Sequence, residues 1–169
     1  MSTSPTYKVK FRRRREMKTD YKKRLALLKS SKQRLVVRKS NNGTVVELVT
    51  YKPAGDIVES FFSTRGLKKF GWSGHTGNLP AAYLAGYACA KKALKSAKSK
   101  DAVLDIGLCS PVHGSRIFAA LKGAIDAGMK IPCDEKVFPK ADRFSGKHIS
   151  EQVVKNFDQA KSALDKEFG

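Results

Sequence analysis

Apolar residues are sparse and aperiodic through residues 1–18, and helical spacing begins only after them. Thr19 or Asp20 supplies an N-cap. Tyr21, Leu25 and Leu28 then fall at i, i+4 and i+7, predicting a helix to about Ser30 with one narrow apolar stripe. Lys22 and Lys29 flank that stripe on one shoulder, with Lys23 and Arg24 further round. The spacing then becomes strand-like. Residues 34–39 read as a strand, Asn41, Asn42 and Gly43 as a hairpin turn that tolerates positive φ, and 44–51 as the return strand. A turn at 52–56 leads into a third strand at 57–64, completing an antiparallel meander.

Residues 65–78 break the pattern: four glycines, three basic residues and the only Trp fall in one predicted loop. Asn78 caps the next helix, which carries Pro80 in its first turn and is predicted to run to about Ala97. Tyr83, Tyr87, Ala90 and Leu94 make one stripe, and Ala81, Ala85 and Ala88 another. Two apolar faces predict burial on both, with the alanines allowing close approach to a sheet. Residues 102–108 read as a buried strand, so strand, helix and strand form a crossover, expected to be right-handed and parallel. Ser115 caps a further helix with Ile117, Leu121 and Ala124 inward, stopped by Gly128 and Pro132. Residues 133–149 read as polar loop. Ser150 then caps a last helix, with Val153, Phe157, Ala160 and Leu164 in one stripe extended by Phe168.

The predicted fold is therefore α/β: an antiparallel three-stranded meander extended by a parallel strand through a helical crossover and packed by helices. A basic N-terminal arm precedes it and a C-terminal helical appendage follows. The expected divisions are 1–32 for the arm and first helix, 33–131 for the core, and 132–169 for a C-terminal loop and helix packed on the core.

Charge changes the picture. The 169 residues carry a net charge of +19, and the first 40 hold 15 Lys or Arg against two acids, Glu16 and Asp20. The run Arg12, Arg13, Arg14 and Arg15 is flanked by Tyr7, Lys8, Lys10, Phe11 and Lys18. A block of like charge stays extended until a polyanion neutralises it, and arginine pairs with phosphate through two bonds while also stacking on bases. The partner this predicts is nucleic acid. Arg34 and Arg38 share a strand face by period two, and that face is either an RNA contact or the wet side of the sheet. Lys68, Lys69, Trp72 and His75 in the glycine loop suit RNA, with aromatics on unpaired bases and lysines on phosphates. The alternative for Trp72 is a core plug.

Other chemistries are poorly represented. Three widely spaced cysteines, Cys89, Cys109 and Cys133, make neither a disulfide framework nor a zinc motif, and Cys89 and Cys109 read as small buried hydrophobes. Gly71, Gly74 and Gly77 match neither phosphate-loop pattern. The acids Asp56, Asp105 and Asp126 are scattered, and Ser110, Ser115 and His113 make no nucleophile elbow, so no catalytic residue, metal or cofactor is assigned. Asp105 in an apolar strand is expected to pair with a basic residue such as Arg116, or to bond a nearby helix end. No apolar stretch is long enough to span a membrane and no signal-like segment is apparent, so the expected location is the cytosol.

Specific motifs carry a resemblance. Lys69-Phe70-Gly71-Trp72 followed by Gly74-His75-Thr76-Gly77-Asn78-Leu79-Pro80-Ala81-Ala82-Tyr83 resembles the ribosomal protein family that binds 5S rRNA in the central protuberance of the large subunit. Leu104-Asp105-Ile106-Gly107-Leu108, then Gly114-Ser115-Arg116-Ile117-Phe118, is similar to its second signature, and Ile131-Pro132 with Gly146-Lys147-His148-Ile149 to its third. The tail after Pro132 is similar to that of archaeal members. The resemblance implies a compact α/β body and an arm gripping 5S rRNA, with contacts to large-subunit rRNA and to a neighbouring 5S-binding ribosomal protein. It implies no catalytic residue, small-molecule substrate or membrane. The arm maps to residues 8–24 and the glycine loop to 68–78. The alternative is a nucleic-acid-binding protein outside the ribosome, an RNA chaperone or chromatin module.

Overall fold

The computed structural model describes residues 4–96 and 100–169. Four strands form one sheet: β1 (Gln33–Lys39), β2 (Thr44–Thr50), β3 (Ile57–Ser63) and β4 (Ala102–Asp105), in the order β3-β2-β1-β4. β1 pairs antiparallel with β2, and β2 with β3, while β4 runs parallel to β1. The meander and its parallel extension thus form, although the strand predicted over 102–108 ends at Asp105 and Leu108 is exposed.

Two short helices precede the sheet, α1 (Arg12–Arg15) and α2 (Tyr21–Leu28). The crossover helix is α3 (Leu79–Ser96); its predicted end at Ala97 lies outside the described residues. After β4 come α4 (Arg116–Asp126), α5 (Ala141–Ser145) and α6 (Glu151–Phe168). The sheet buries one face under α3, which lies against β2 and β3, and α4, which lies against β1. Leu35, Val37, Val46, Leu48 and Phe62 meet that layer. α6 packs on the other side of α3, so α3 is buried along 12 of its 18 residues.

α3 and α4 approach closely. A Cβ on Gly86 would lie 1.9 Å from the Ala120 carbonyl oxygen, and one on Gly123 would lie 2.1 Å from that of Tyr83. The two glycines let the helix backbones touch, so they are needed here for room and not for conformation. Polar bonds fix the same layer. The Tyr83 hydroxyl donates to Asp126 at 2.8 Å and the Tyr87 hydroxyl to Asp165 at 2.6 Å, joining α3 to α4 and α6. Burial, and then the bond to Asp165, push the Tyr87 phenol up to about 12, so it remains a donor.

Several local readings need correction. The strand predicted to Thr64 stops at Ser63, where the Ser63 hydroxyl caps a 3₁₀ turn spanning Thr64–Phe70. Residues 65–70 of the expected glycine loop are therefore helical. Gly43 has no positive φ; its Cβ would lie 2.7 Å from the Thr64 hydroxyl, so the hairpin needs glycine for space. Residues 133–149 are not simple loop. They hold a 3₁₀ turn at Glu135–Val137 and α5, whose Phe144 stacks on Tyr83 with centroids 5.0 Å apart. Cys89 is buried and its thiol is pushed up to about 11, chiefly by burial, whereas Cys109 is only half-buried. The appendage docks as predicted through Phe157, Ala160 and Leu164, and Phe168 joins Phe62 and Phe70 in an aromatic cluster.

Gly123→Ala distinguishes close approach from ordinary helix propensity. Propensity alone would raise stability by up to about 1 kcal/mol, whereas the clash with Tyr83 should lower it by roughly 1–3 kcal/mol or more. The sign of the change in a denaturant titration decides between them.

Candidate nucleic-acid interface

Residues 4–18 are exposed throughout, and α1 buries nothing. Its acid partner is local: Arg12 and Lys18 approach Glu16 at 3.9 and 2.9 Å, and Arg13 Nε donates to Thr19 at 2.8 Å. Lys8, Lys10, Arg14 and Arg15 have no ion pair among the described residues. Phe11 is exposed and rests its ring 5.4 Å from that of Tyr21, the one aromatic contact linking the arm to α2 among the described residues. Lys22, Lys23 and Lys29 face solvent.

α2 begins where predicted, with the Asp20 carboxylate accepting from the backbone N–H groups of Lys22 and Lys23. Its buried edge is rotated from the predicted stripe. Leu25 is 57% exposed, and the half-buried positions are Tyr21, Arg24, Leu27 and Leu28. The cause is ionic. Arg24 donates to both oxygens of Asp56, at 2.9 and 2.8 Å, and so turns inward in place of Leu25.

Asp56 belongs to a longer chain of charges. Its carboxylate also accepts from Arg34 at 2.6 Å, and Arg34 donates to Asp105 at 2.8 Å. Sheet register explains the second contact. Val36 and Asp105 are Cα partners, so Arg34 and Arg38, two residues either side of Val36, flank the carboxylate on one face. Arg38 reaches the other Asp105 oxygen at 3.4 Å and its carbonyl at 2.9 Å, and Gly107 N–H donates to the carboxylate at 2.8 Å. Burial would raise the Asp56 carboxyl, but hydrogen bonds from Arg24 and Arg34, together with their charges, outweigh it and hold it below its ordinary 3.8. The Asp56 contribution to stability is therefore complete above the ordinary carboxylate range. It is lost as pH falls through the lowered value.

This network corrects two expectations. Arg34 is 2% exposed, and its guanidinium is occupied by two carboxylates, so it is an internal ion-pair member and not a surface contact. Asp105 pairs with Arg34 and Arg38 rather than with Arg116. Arg116 instead donates to the carbonyls of Ser40 and Gly77 at 2.8 and 2.9 Å, tying the β1–β2 turn to the glycine loop.

The arm, α2 and the sheet together enclose an open cavity of about 480 Å³, and Arg13, Lys18, Lys23, Arg24 and Arg38 all line it. Residues far apart in sequence thus converge. The glycine-loop residues are not part of this lining. Lys68 and Lys69 are exposed on the 3₁₀ turn, and His75 is exposed with Nδ1 accepting from Gly77 N–H at 3.0 Å. Asn78 accepts from Ala81 N–H at 2.9 Å, capping α3. Trp72 is 2% exposed within the core, its Nε1 donating to the His75 carbonyl at 3.4 Å. Of the two roles open for Trp72, the folded chain takes the core plug.

A family model described as ribosomal large subunit proteins 60S L5, and 50S L18 matches residues 5–103 and 95–134. The chain belongs to this family of large-subunit ribosomal proteins. The match covers the arm, α2, the whole sheet, α3 and α4. It therefore spans every member of the Arg24–Asp56–Arg34–Asp105–Arg38 network, while α5 and α6 lie beyond it. Sequence reasoning missed Asp56 and Arg116 as organisers of this surface. Asp105 was the available signal, a carboxylate in an apolar strand, but its partners come from a strand about 70 residues away.

Trp72→Ala should cost roughly 3–5 kcal/mol of folding stability, the range for deleting a buried large aromatic. Thermal melts of the free protein measure this. Wherever the variant stays folded, its RNA titrations should keep the wild-type salt dependence.

Proposed function

We propose that this protein is a structural, non-catalytic component of the large ribosomal subunit that binds 5S rRNA. It would help attach 5S rRNA to the large-subunit rRNA in the central protuberance, beside a neighbouring 5S-binding ribosomal protein, in cytoplasmic ribosomes. The observation that carries this reading is the convergence of an exposed cationic arm, α2 and Arg38 around one open cavity in a family of ribosomal proteins.

The roles divide by geometry. Lys8, Lys10, Arg12, Arg13, Arg14, Arg15 and Lys18 neutralise phosphates along the arm, with Phe11 available to stack on an unpaired base. Lys22, Lys23 and Lys29 continue that surface along α2. Arg24 and Arg38 border the cavity while holding the acids beneath it. Lys68, Lys69 and His75, with the Asn78 amide beside the α3 cap, form a second, separate contact with RNA. Titration of the intact chain with 5S rRNA and with an unrelated RNA of equal length tests the reading; equal affinity for both would sink it.

The arm buries nothing and is too poor in apolar residues to fold alone, so it should order only on RNA. Amide exchange should find residues 4–18 unprotected in the free protein and protected with 5S rRNA, and protection without RNA would refute this.

Counterion release gives a second expectation. Log K falls with log salt by roughly 0.7–0.9 per phosphate neutralised, so replacing Arg12 to Arg15 with Ala should flatten the slope by about three units. An unchanged slope would place the run in solvent.

A further inference from the structure

α2 has little to hold it. It is eight residues long, contains no buried residue, and has its first leucine, Leu25, in solvent. An isolated helix of that length is marginal in water. Beyond the half-buried Tyr21, Leu27 and Leu28, what ties it to the folded body is Arg24, whose guanidinium meets both oxygens of Asp56, while the same carboxylate is gripped from beneath by Arg34. Arg34 is in turn fixed by Asp105, and Asp105 by Arg38 and Gly107 N–H. Five charged side chains thus run from the helix surface to the buried sheet.

We propose that Asp56 is a positioning residue for RNA binding: it clamps α2 to the sheet so that Lys22, Lys23 and Lys29, and the arm leading into them, are presented at one fixed orientation. The proposal rests on the RNA-binding reading above. An acid beneath a cationic surface would otherwise weaken the attraction for phosphate. Here its charge is matched by Arg24 and Arg34, so it orders the surface while leaving the outward lysines unneutralised. Arg24 serves as the outer jaw of the clamp rather than as a phosphate ligand. The arm orders on RNA, whereas α2 is placed beforehand. The entropic cost of binding then falls mainly on residues before Thr19.

The test uses the full chain. Asp56→Asn keeps the shape and removes the charge, and it leaves the buried Arg34 paired with Asp105, so the sheet survives. In the free variant, amides of 24–28 should exchange at least several-fold faster while those of β1 and β2 stay as in wild type. If release leaves α2 correctly placed in about one molecule in ten, affinity for 5S rRNA falls about tenfold. The slope of log K against log salt should be unchanged, because no phosphate contact is lost. Asp56→Glu should recover part of the affinity, and Arg24→Gln should reproduce the loss without touching the buried pair.

Wild-type exchange over 24–28, or wild-type affinity in Asp56→Asn, would overturn the clamp. So would loss of protection across the whole sheet, which would make Asp56 a general fold residue. A flattened salt slope in Arg24→Gln would assign that guanidinium to phosphate and overturn its role as a jaw. Failure of the wild-type chain to bind 5S rRNA would instead overturn the proposed function, an outcome the exchange measurement on the free protein keeps separate.

Discussion

Arg34 occupies the interior only because Asp105 and Asp56 meet it there. A guanidinium taken out of water and left alone is among the costliest defects a fold can carry: leaving a buried charge with no partner costs roughly 3–5 kcal/mol. The pairing therefore constrains everything near it. β4 must lie beside β1 in the register that sets Asp105 against Val36, and the β2–β3 turn must bring Asp56 over the strand. Once both carboxylates are in place, Arg24 and Arg38 have fixed acceptors at the edge of the cluster. The cationic surface is organised by the acids under it.

The opposite side of the sheet depends on a different limit, the distance between helix axes. Gly86 and Gly123 let α3 and α4 approach until backbone meets backbone. That proximity lets one layer of helices cover the inner face of four strands. α6 completes the burial of α3, with Tyr87 bonding Asp165 and Phe168 closing against Phe62 and Phe70. α6 lies beyond the family match yet contributes buried residues to the same core.

Charge and packing are segregated along the chain. The first 40 residues hold most of the excess positive charge, and residues 4–18 bury nothing; the rest of the chain supplies the core. This separation lets the body fold without first neutralising the arm. The arm, which the charge pattern predicts to be extended, instead forms the single helical turn of α1 at Arg12–Arg15, yet it stays unpacked against the body at no cost to it. Trp72 obeys the same division. It sits in a glycine-rich stretch between basic residues, but its large apolar surface takes it inward, leaving Lys68, Lys69 and His75 on the outside.

The sequence by itself determined the elements whose signals are local. Alternation gave the meander, Thr19 or Asp20 and Ser150 marked helix starts, the double stripe of α3 announced burial on two faces, and the arginine run raised the expectation of a polyanion partner. Spacing within a few residues fixes these features, so one chain is enough to see them. Only the tertiary structure decided which of the similar-looking cations are free. Arg34 and Lys22 are equally plausible surface charges in the sequence, yet one is sealed against two acids and the other faces solvent. The same holds for Arg24 turning inward in place of Leu25, for Arg116 bonding two turns instead of Asp105, and for Gly43 and Gly123 being needed for room. The physical reason is common to all of them. Ion pairing and close contact depend on distances between segments tens of residues apart, and periodicity along the chain carries no record of those distances.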